Sequence, residues 1–229
     1  MKILAIETST MLGGVAIADG NGLIAEVRMN VKTTHSERMM AAVDYALKQS
    51  DMTIDDIDVF SVASGPGSFT GLRIGLSTAK GLCYATGRPL VLVPTLRAFA
   101  WNFPFCAYPV CVMLDARKGE VYAAVFRWEN DGFETVVPEV SVRPEDLLKG
   151  GEGPVLLAGE GLLRYRERII SAMGERARIA PPQGMVPSPS NVALVGLQKA
   201  LRSEFTAPDA AEPLYIRRAE AEVKWSERQ

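Results

Sequence analysis

The sequence predicts an α/β fold of two like lobes, each a mixed sheet flanked by helices, and three observations carry that reading. Short apolar runs bounded by turn residues alternate with helical patterns along the 229 residues. The apolar run 59–63 passes into a long helical pattern through Ser64-Gly65-Pro66-Gly67-Ser68, the layout of a strand, a tight turn and a capped helix. The opening hairpin, a strand ending in Glu7 with a turn and a returning strand behind it, has its like near residue 115.

Residues 2–7 read as a short apolar strand, 12–18 as a second after the turn at Ser9-Thr10, and 23–29 as a third after Asp19-Gly20-Asn21-Gly22. A helix over 36–49 follows, with Met39, Met40, Val43, Ala46 and Leu47 on one stripe and Glu37, Asp44 and Lys48 away from it. Strand 59–63, helix 68–86, strand 90–93 and a short helix capped by Thr95 complete a first lobe, 1–103. In the second lobe, 104–229, strands 110–115 and 120–126 repeat the acid-tipped hairpin, with Asp115 in the place of Glu7. An apolar segment 133–137, a short helix 144–148, a strand 155–158 and a helix 161–173 then imitate the first lobe in reduced form. A proline-rich loop, 181–190, leads to a last helix over 191–204, and the charge-alternating tail from 213 to the end reads as surface.

The helix over 68–86 is too greasy for one core. Arg73, Ser77, Lys80, Tyr84 and Thr70 share a narrow sector, and apolar or small residues cover an arc of roughly 220°, about twice what a surface helix needs. Gly71 and Gly75, one turn apart, each cost about 1 kcal/mol relative to Ala, so another backbone is expected close by. One partner is this chain's own sheet. The other is either internal as well or a second helix pair.

Composition narrows the class. With 48% apolar and 23% charged residues the chain is an ordinary globular sequence, and its net charge of −2 argues against a free-standing nucleic-acid binder. No apolar run approaches the length of a membrane span, and the apolar start meets Glu7 too early to form the core of a signal peptide. Cys83, Cys106 and Cys111 are odd in number and lack a C-x-x-C pair, which fits free thiols in a reducing, cytoplasmic compartment. One histidine, His35, is present. A zinc protease with two helix-borne histidines, or a hydrolase with a histidine base beside its nucleophile, therefore lacks its parts. His35 sits in Thr34-His35-Ser36-Glu37, where Thr34 and Glu37 have capping-box spacing, so no metal or catalytic residue is assigned.

The duplicated lobes and the first hairpin, Glu7-Thr8-Ser9-Thr10, resemble the actin, Hsp70 and sugar-kinase superfamily, whose first turn faces nucleotide phosphates. Together with Gly65-Pro66-Gly67-Ser68-Phe69-Thr70-Gly71-Leu72-Arg73, Asp115-Ala116-Arg117-Lys118-Gly119-Glu120 and Glu212-Pro213-Leu214-Tyr215-Ile216-Arg217, the chain resembles the bacterial TsaB (YeaZ) family. That resemblance implies a non-catalytic scaffold in the synthesis of threonylcarbamoyladenosine at position 37 of tRNA. It implies as partners the TsaD transferase, held through a helix pair, and the TsaE ATPase, with a homodimer when alone and tRNA met only through the complex. It implies no tightly bound cofactor, with ATP or ADP at the partner interface. The expected interface is Met39, Met40, Val43, Phe69, Leu72 and Leu76, with Arg73 at its rim; the alternative for these apolar residues is core.

Glu7, Thr8, Ser9 and Asp115 are the candidate nucleotide-facing residues. Each acid has a second reading, as a hydrogen-bond acceptor for the turn after its own strand. The competing function is an ATP-dependent small-molecule kinase of the same fold, opposed by the thin glycine loop Ala158-Gly159-Glu160-Gly161. Arg217, Arg218, Lys224 and Arg228 hint at RNA contact, but Glu220, Glu222 and Glu227 interleave with them.

Overall fold

The computed structural model describes residues 1–30, 35–147, 149 and 151–216, with the backbone alone at 35–37. The strands are β1 (Ile3–Glu7), β2 (Gly13–Asp19), β3 (Gly22–Met29), β4 (Val59–Gly65), β5 (Leu90–Pro94), β6 (Val110–Arg117), β7 (Glu120–Glu129), β8 (Gly132–Val142), β9 (Val155–Ala158) and β10 (Ala177–Ile179). The helices are α1 (His35–Gln49), α2 (Phe69–Thr86), α3 (Thr95–Ala100), α4 (Pro144–Leu147), α5 (Glu160–Arg164), α6 (Arg166–Met173) and α7 (Pro189–Leu201). None of the described helices is long and apolar enough to cross a membrane.

Two five-stranded sheets share one topology. Their strand orders are β3-β2-β1-β4-β5 and β8-β7-β6-β9-β10. In each, the first strand pairs antiparallel with the hairpin partner and parallel with the fourth strand. The repeat that the sequence carries faintly is therefore complete in the backbone, and the fold is a duplicated α/β fold of two mixed sheets.

Alternation along β1 sorts the first lobe. Leu4 and Ile6 point into a core shared with α1 and α2, where Met39, Val43, Leu76 and Ala79 meet Phe60 and Val62. Ile3 and Ala5 point the other way, into a core with Ala98 of α3 and Val192, Ala193 and Leu197 of α7. Although α7 comes late in the chain, it covers the first sheet. The second sheet has its own core, in which Val110, Val112, Phe126 and Phe133 meet Phe99, Leu162 and Ile169.

Several boundaries differ from expectation. The helix expected over 161–173 is two, because Tyr165 leaves helical geometry (φ −114°, ψ 25°) and sends its hydroxyl to Asp115. Strand β8 runs five residues beyond 137 and carries Pro138, which an edge strand tolerates. Strand β10 has three residues, too few for a periodic signal. Thr95 does not cap α3; Pro94 holds that position, and the Thr95 hydroxyl accepts the Gly65 N–H at 3.1 Å. Helix α7 begins at Pro189 rather than 191 and ends at Leu201, since proline fits a first helical turn. The basic and acidic residues of the tail from 217 onward, and the Thr34–Glu37 capping box, fall outside what the structure describes.

Candidate functional site

The two hairpin turns face each other across a cavity of about 1030 Å³. Ser9, Thr10 and Met11 line one side and Asp115, Ala116 and Arg117 another; the start of α2, the α5 segment and residues 214–216 close it. Arg73, Arg117 and Arg164 give its lining three guanidinium groups.

Each acid-tipped strand ties down its own turn. Glu7 Oε1 accepts the Ser9 N–H at 2.6 Å, and Asp115 Oδ1 accepts the Arg117 N–H at 3.0 Å. These are the acceptor roles that the second reading of the two acids assigns. Beyond this shared bond the two sites diverge. Asp115 also accepts the Tyr165 hydroxyl at 3.1 Å and pairs with Arg164 at 3.1 Å, so both its oxygens are engaged. Glu7 is wholly enclosed, and its Oε2 and the neighbouring Ser9 Oγ make no hydrogen bond. Burial pushes the Glu7 carboxyl up to about 7, against the opposing pull of the neighbouring Ser9 hydroxyl and N–H dipoles and of the Arg28 charge. Glu160, near Asp115, is also raised, by burial first and by the Asp115 charge in addition.

Of the four expected nucleotide-facing residues, Ser9 and Asp115 line the cavity, whereas Glu7 and Thr8 lie beneath it. Thr8 belongs to the helix contact: its hydroxyl donates to the Gly71 carbonyl at 2.8 Å. A Cβ on Gly71 would stand 2.0 Å from the Thr8 carbonyl oxygen, and one on Gly75 would stand 2.3 Å from Thr8 Oγ1. The close backbone that Gly71 demands is thus this chain's own first turn, and Gly75 makes room for the Thr8 side chain. Ser68 caps α2 by accepting the Gly71 N–H, and its own N–H donates to the Ser9 carbonyl at 2.7 Å. Gly159 and Gly161 also serve packing, since a Cβ on Gly159 would stand 2.0 Å from the Met113 carbonyl oxygen. Among the described residues no cluster of three His, Cys, Asp or Glu side chains is placed to hold a metal.

The structure corrects the expected helix interface. Met39, Val43, Leu72 and Leu76 are buried in this chain's own lobe, because α1 and α2 turn those positions toward β1 and β4. Met40 is 52% exposed, Arg73 is exposed and Phe69 is half-buried. The outward stripe of α2 is instead Thr70, Ser77, Gly81 and Tyr84, with Ile74 half-buried at its edge, and α1 adds Met40 and Tyr45. Tyr84 and Tyr45 are 67% and 56% exposed, and nothing lies within 4 Å of where a Gly81 Cβ would be. Sequence reasoning missed Tyr45, Ile74, Gly81 and Tyr84. The signal was present: Ile74, Gly81 and Tyr84 recur at helical spacing on the side opposite Leu72 and Leu76.

Comparison with known proteins places these features among relatives. The family model for TsaD, tRNA N6-adenosine threonylcarbamoyltransferase, matches residues 23–225. The tRNA threonylcarbamoyladenosine biosynthesis protein TsaB of Bacillus subtilis is 35% identical over 232 residues, covering 100% of both chains. Its Escherichia coli namesake is 28% identical, covering 95% of each. The structure of YeaZ from Pseudomonas aeruginosa superposes with a TM-score of 0.80 at 24% identity, over 93% of this chain and 99% of that one.

Proposed function

The chain belongs to the TsaB (YeaZ) family, and from that premise we propose that it serves in forming threonylcarbamoyladenosine at position 37 of tRNA as a non-catalytic subunit. It holds the TsaD transferase against the outward face of α1 and α2, works with TsaE in a larger assembly, pairs with a second copy of itself when alone, and meets tRNA through the complex. It works in the cytoplasm.

The observation that carries this reading is Gly81. A glycine within an exposed helix costs about 1 kcal/mol relative to Ala, and the free chain offers no contact there to account for it. An approaching backbone from another helix does account for it. Met40, Tyr45, Ile74 and Tyr84 around it supply apolar area of the kind that interfaces bury. The engagement of both hairpin acids with their own turns further supports a subunit without its own chemistry. The test is co-purification with TsaD. Ile74→Asp and Tyr84→Glu should remove capture while leaving thermal unfolding within a few degrees of wild type. Wild-type capture by both variants would end this assignment.

One observation favours a nucleotide as well: a cavity of about 1030 Å³ carrying three arginines has room and charge for phosphates. In the proposed assembly ATP or ADP is held there weakly, at the subunit boundary. Calorimetry with Mg-ATP on the isolated chain separates this from a kinase of the same fold, which would bind at micromolar concentration and turn over.

A further inference from the structure

Residues 211–216 cross the mouth of the interlobe cavity as an extended strap. Ala211 anchors it in the first-lobe core. The Leu214 N–H donates to the Ser64 carbonyl at 2.7 Å, and the Leu214 carbonyl lies 2.7 Å from where a Cβ on Gly65 would be. Gly65, at φ +118°, is the residue that lets the strap lie this close. Beyond Leu214 the strap is held by side chains: Tyr215 stacks on Phe69 with ring centres 5.0 Å apart, and Arg73 Nε donates to the Tyr215 hydroxyl at 3.0 Å. The Arg73 guanidinium also lies over the Phe69 ring, 3.8 Å from its centre.

Arg73 therefore belongs to two surfaces. It latches the strap, and it stands exposed in the polar sector of α2 beside Thr70, Ser77 and Tyr84, the face assigned above to the partner. We infer that the strap is a latch released by docking: an acidic side chain on the partner helix takes the Arg73 fork, Tyr215 loses its hold, and the interlobe cavity opens at residues 214–216. A carboxylate competes well for this group. Its charge-assisted, bidentate bond to a guanidinium is stronger than a single bond to a neutral phenol, and side-on pairing uses the Nε–H that now serves Tyr215. The inference rests on α2 carrying the partner surface, as proposed above.

Hydrogen exchange of the Leu214 amide reads the latch directly. In the free chain, Arg73→Gln and Tyr215→Phe should each speed that exchange, Arg73→Gln by about tenfold, with amides of the β1 and β4 ladder unchanged. Saturating the wild-type chain with TsaD should speed Leu214 exchange, and should add nothing further in Arg73→Gln. Unchanged Leu214 protection in both free variants would show that there is no latch. Unchanged or increased protection in a fully formed complex would show that docking does not release it. If TsaD does not bind at all, the proposed function and the coupling fall together, while the free-chain comparison still decides the latch.

Discussion

Glu7 ends β1 and Asp115 lies two residues before the end of β6, in two sheets of identical order, and each accepts the N–H two residues further along its chain, at 2.6 and 3.0 Å. One local device thus survives in both lobes while the surroundings of the two carboxyls differ. Asp115 sits among donors, Tyr165 and Arg164. Glu7 is sealed beneath the turn, with one oxygen unpartnered. Two identical acceptor roles therefore carry different electrostatic costs.

That difference predicts a pH dependence. The Glu7 carboxyl is raised in the folded chain to about 7 from an ordinary 4.5, so between those values the folded state binds the proton and the unfolded state does not. Stability is then highest below the ordinary value and declines as pH rises toward 7. The decline amounts to about 3 kcal/mol at most. Glu7→Gln keeps the acceptor for the Ser9 N–H and removes the titration. Denaturant melts at pH 5, 6, 7 and 8 should show wild type losing stability relative to Glu7→Gln, and parallel curves for the two proteins would refute the assignment.

The α2 glycines should respond in opposite directions. Ala at Gly71 or Gly75 meets the Thr8 carbonyl or hydroxyl at 2.0 and 2.3 Å. Because Gly71 faces backbone, the clash outweighs the helix-propensity gain of about 1 kcal/mol, and Gly71→Ala should lower Tm by several degrees. Gly81→Ala meets open space and should raise Tm slightly while weakening capture of TsaD. A Gly81→Ala variant that binds as wild type would leave that glycine without the role proposed for it.

Leu76 and Met40 separate core from surface on the same helix pair. Leu76 is buried with Leu4, Ile6 and Val62, whereas Met40 points outward. Leu76→Ala should cost about 2–5 kcal/mol in denaturant unfolding, and Leu76→Glu should fail to fold. Met40→Glu should melt as wild type and lose partner binding. Equal stability losses for Leu76→Ala and Met40→Ala would contradict this placement.

Part of this arrangement is legible in the sequence alone. Ser64 to Ser68 announced the strand-turn-helix junction because glycine, proline and an N-cap serine each act locally, and the Ser68 cap forms as read. The acid-tipped hairpins were visible for the same reason. Which face of α2 meets the sheet was not legible, since Leu72, Ile74 and Leu76 are all apolar and only the tertiary contact of Gly71 and Gly75 with Thr8 decides the rotation. The packing of the strap was not legible because Leu214 and Tyr215 find Ser64, Phe69 and Arg73 roughly 140–150 residues away. The Tyr165 break was not legible either, because a tyrosine does not by itself end a helix and its Asp115 bond is long-range.

Asp115 offers the sharpest test of whether the cavity relies on a catalytic acid. Asn at this position keeps an oxygen for the Arg117 N–H and the Tyr165 hydroxyl and loses the charge facing Arg164, whose side chain is 56% exposed. With Asp115 itself 12% exposed, an ion pair open to water at its arginine end contributes about 1 kcal/mol, so Asp115→Asn should unfold close to wild type. Asp115→Ala removes both acceptors and should cost about 2 kcal/mol. If Asp115 only holds its turn, calorimetry should find Mg-ATP binding to Asp115→Asn unchanged within threefold. A loss of binding in a variant this well folded would instead mean that the carboxylate itself handles the metal-nucleotide, and the non-catalytic reading of the chain would have to give way to the kinase.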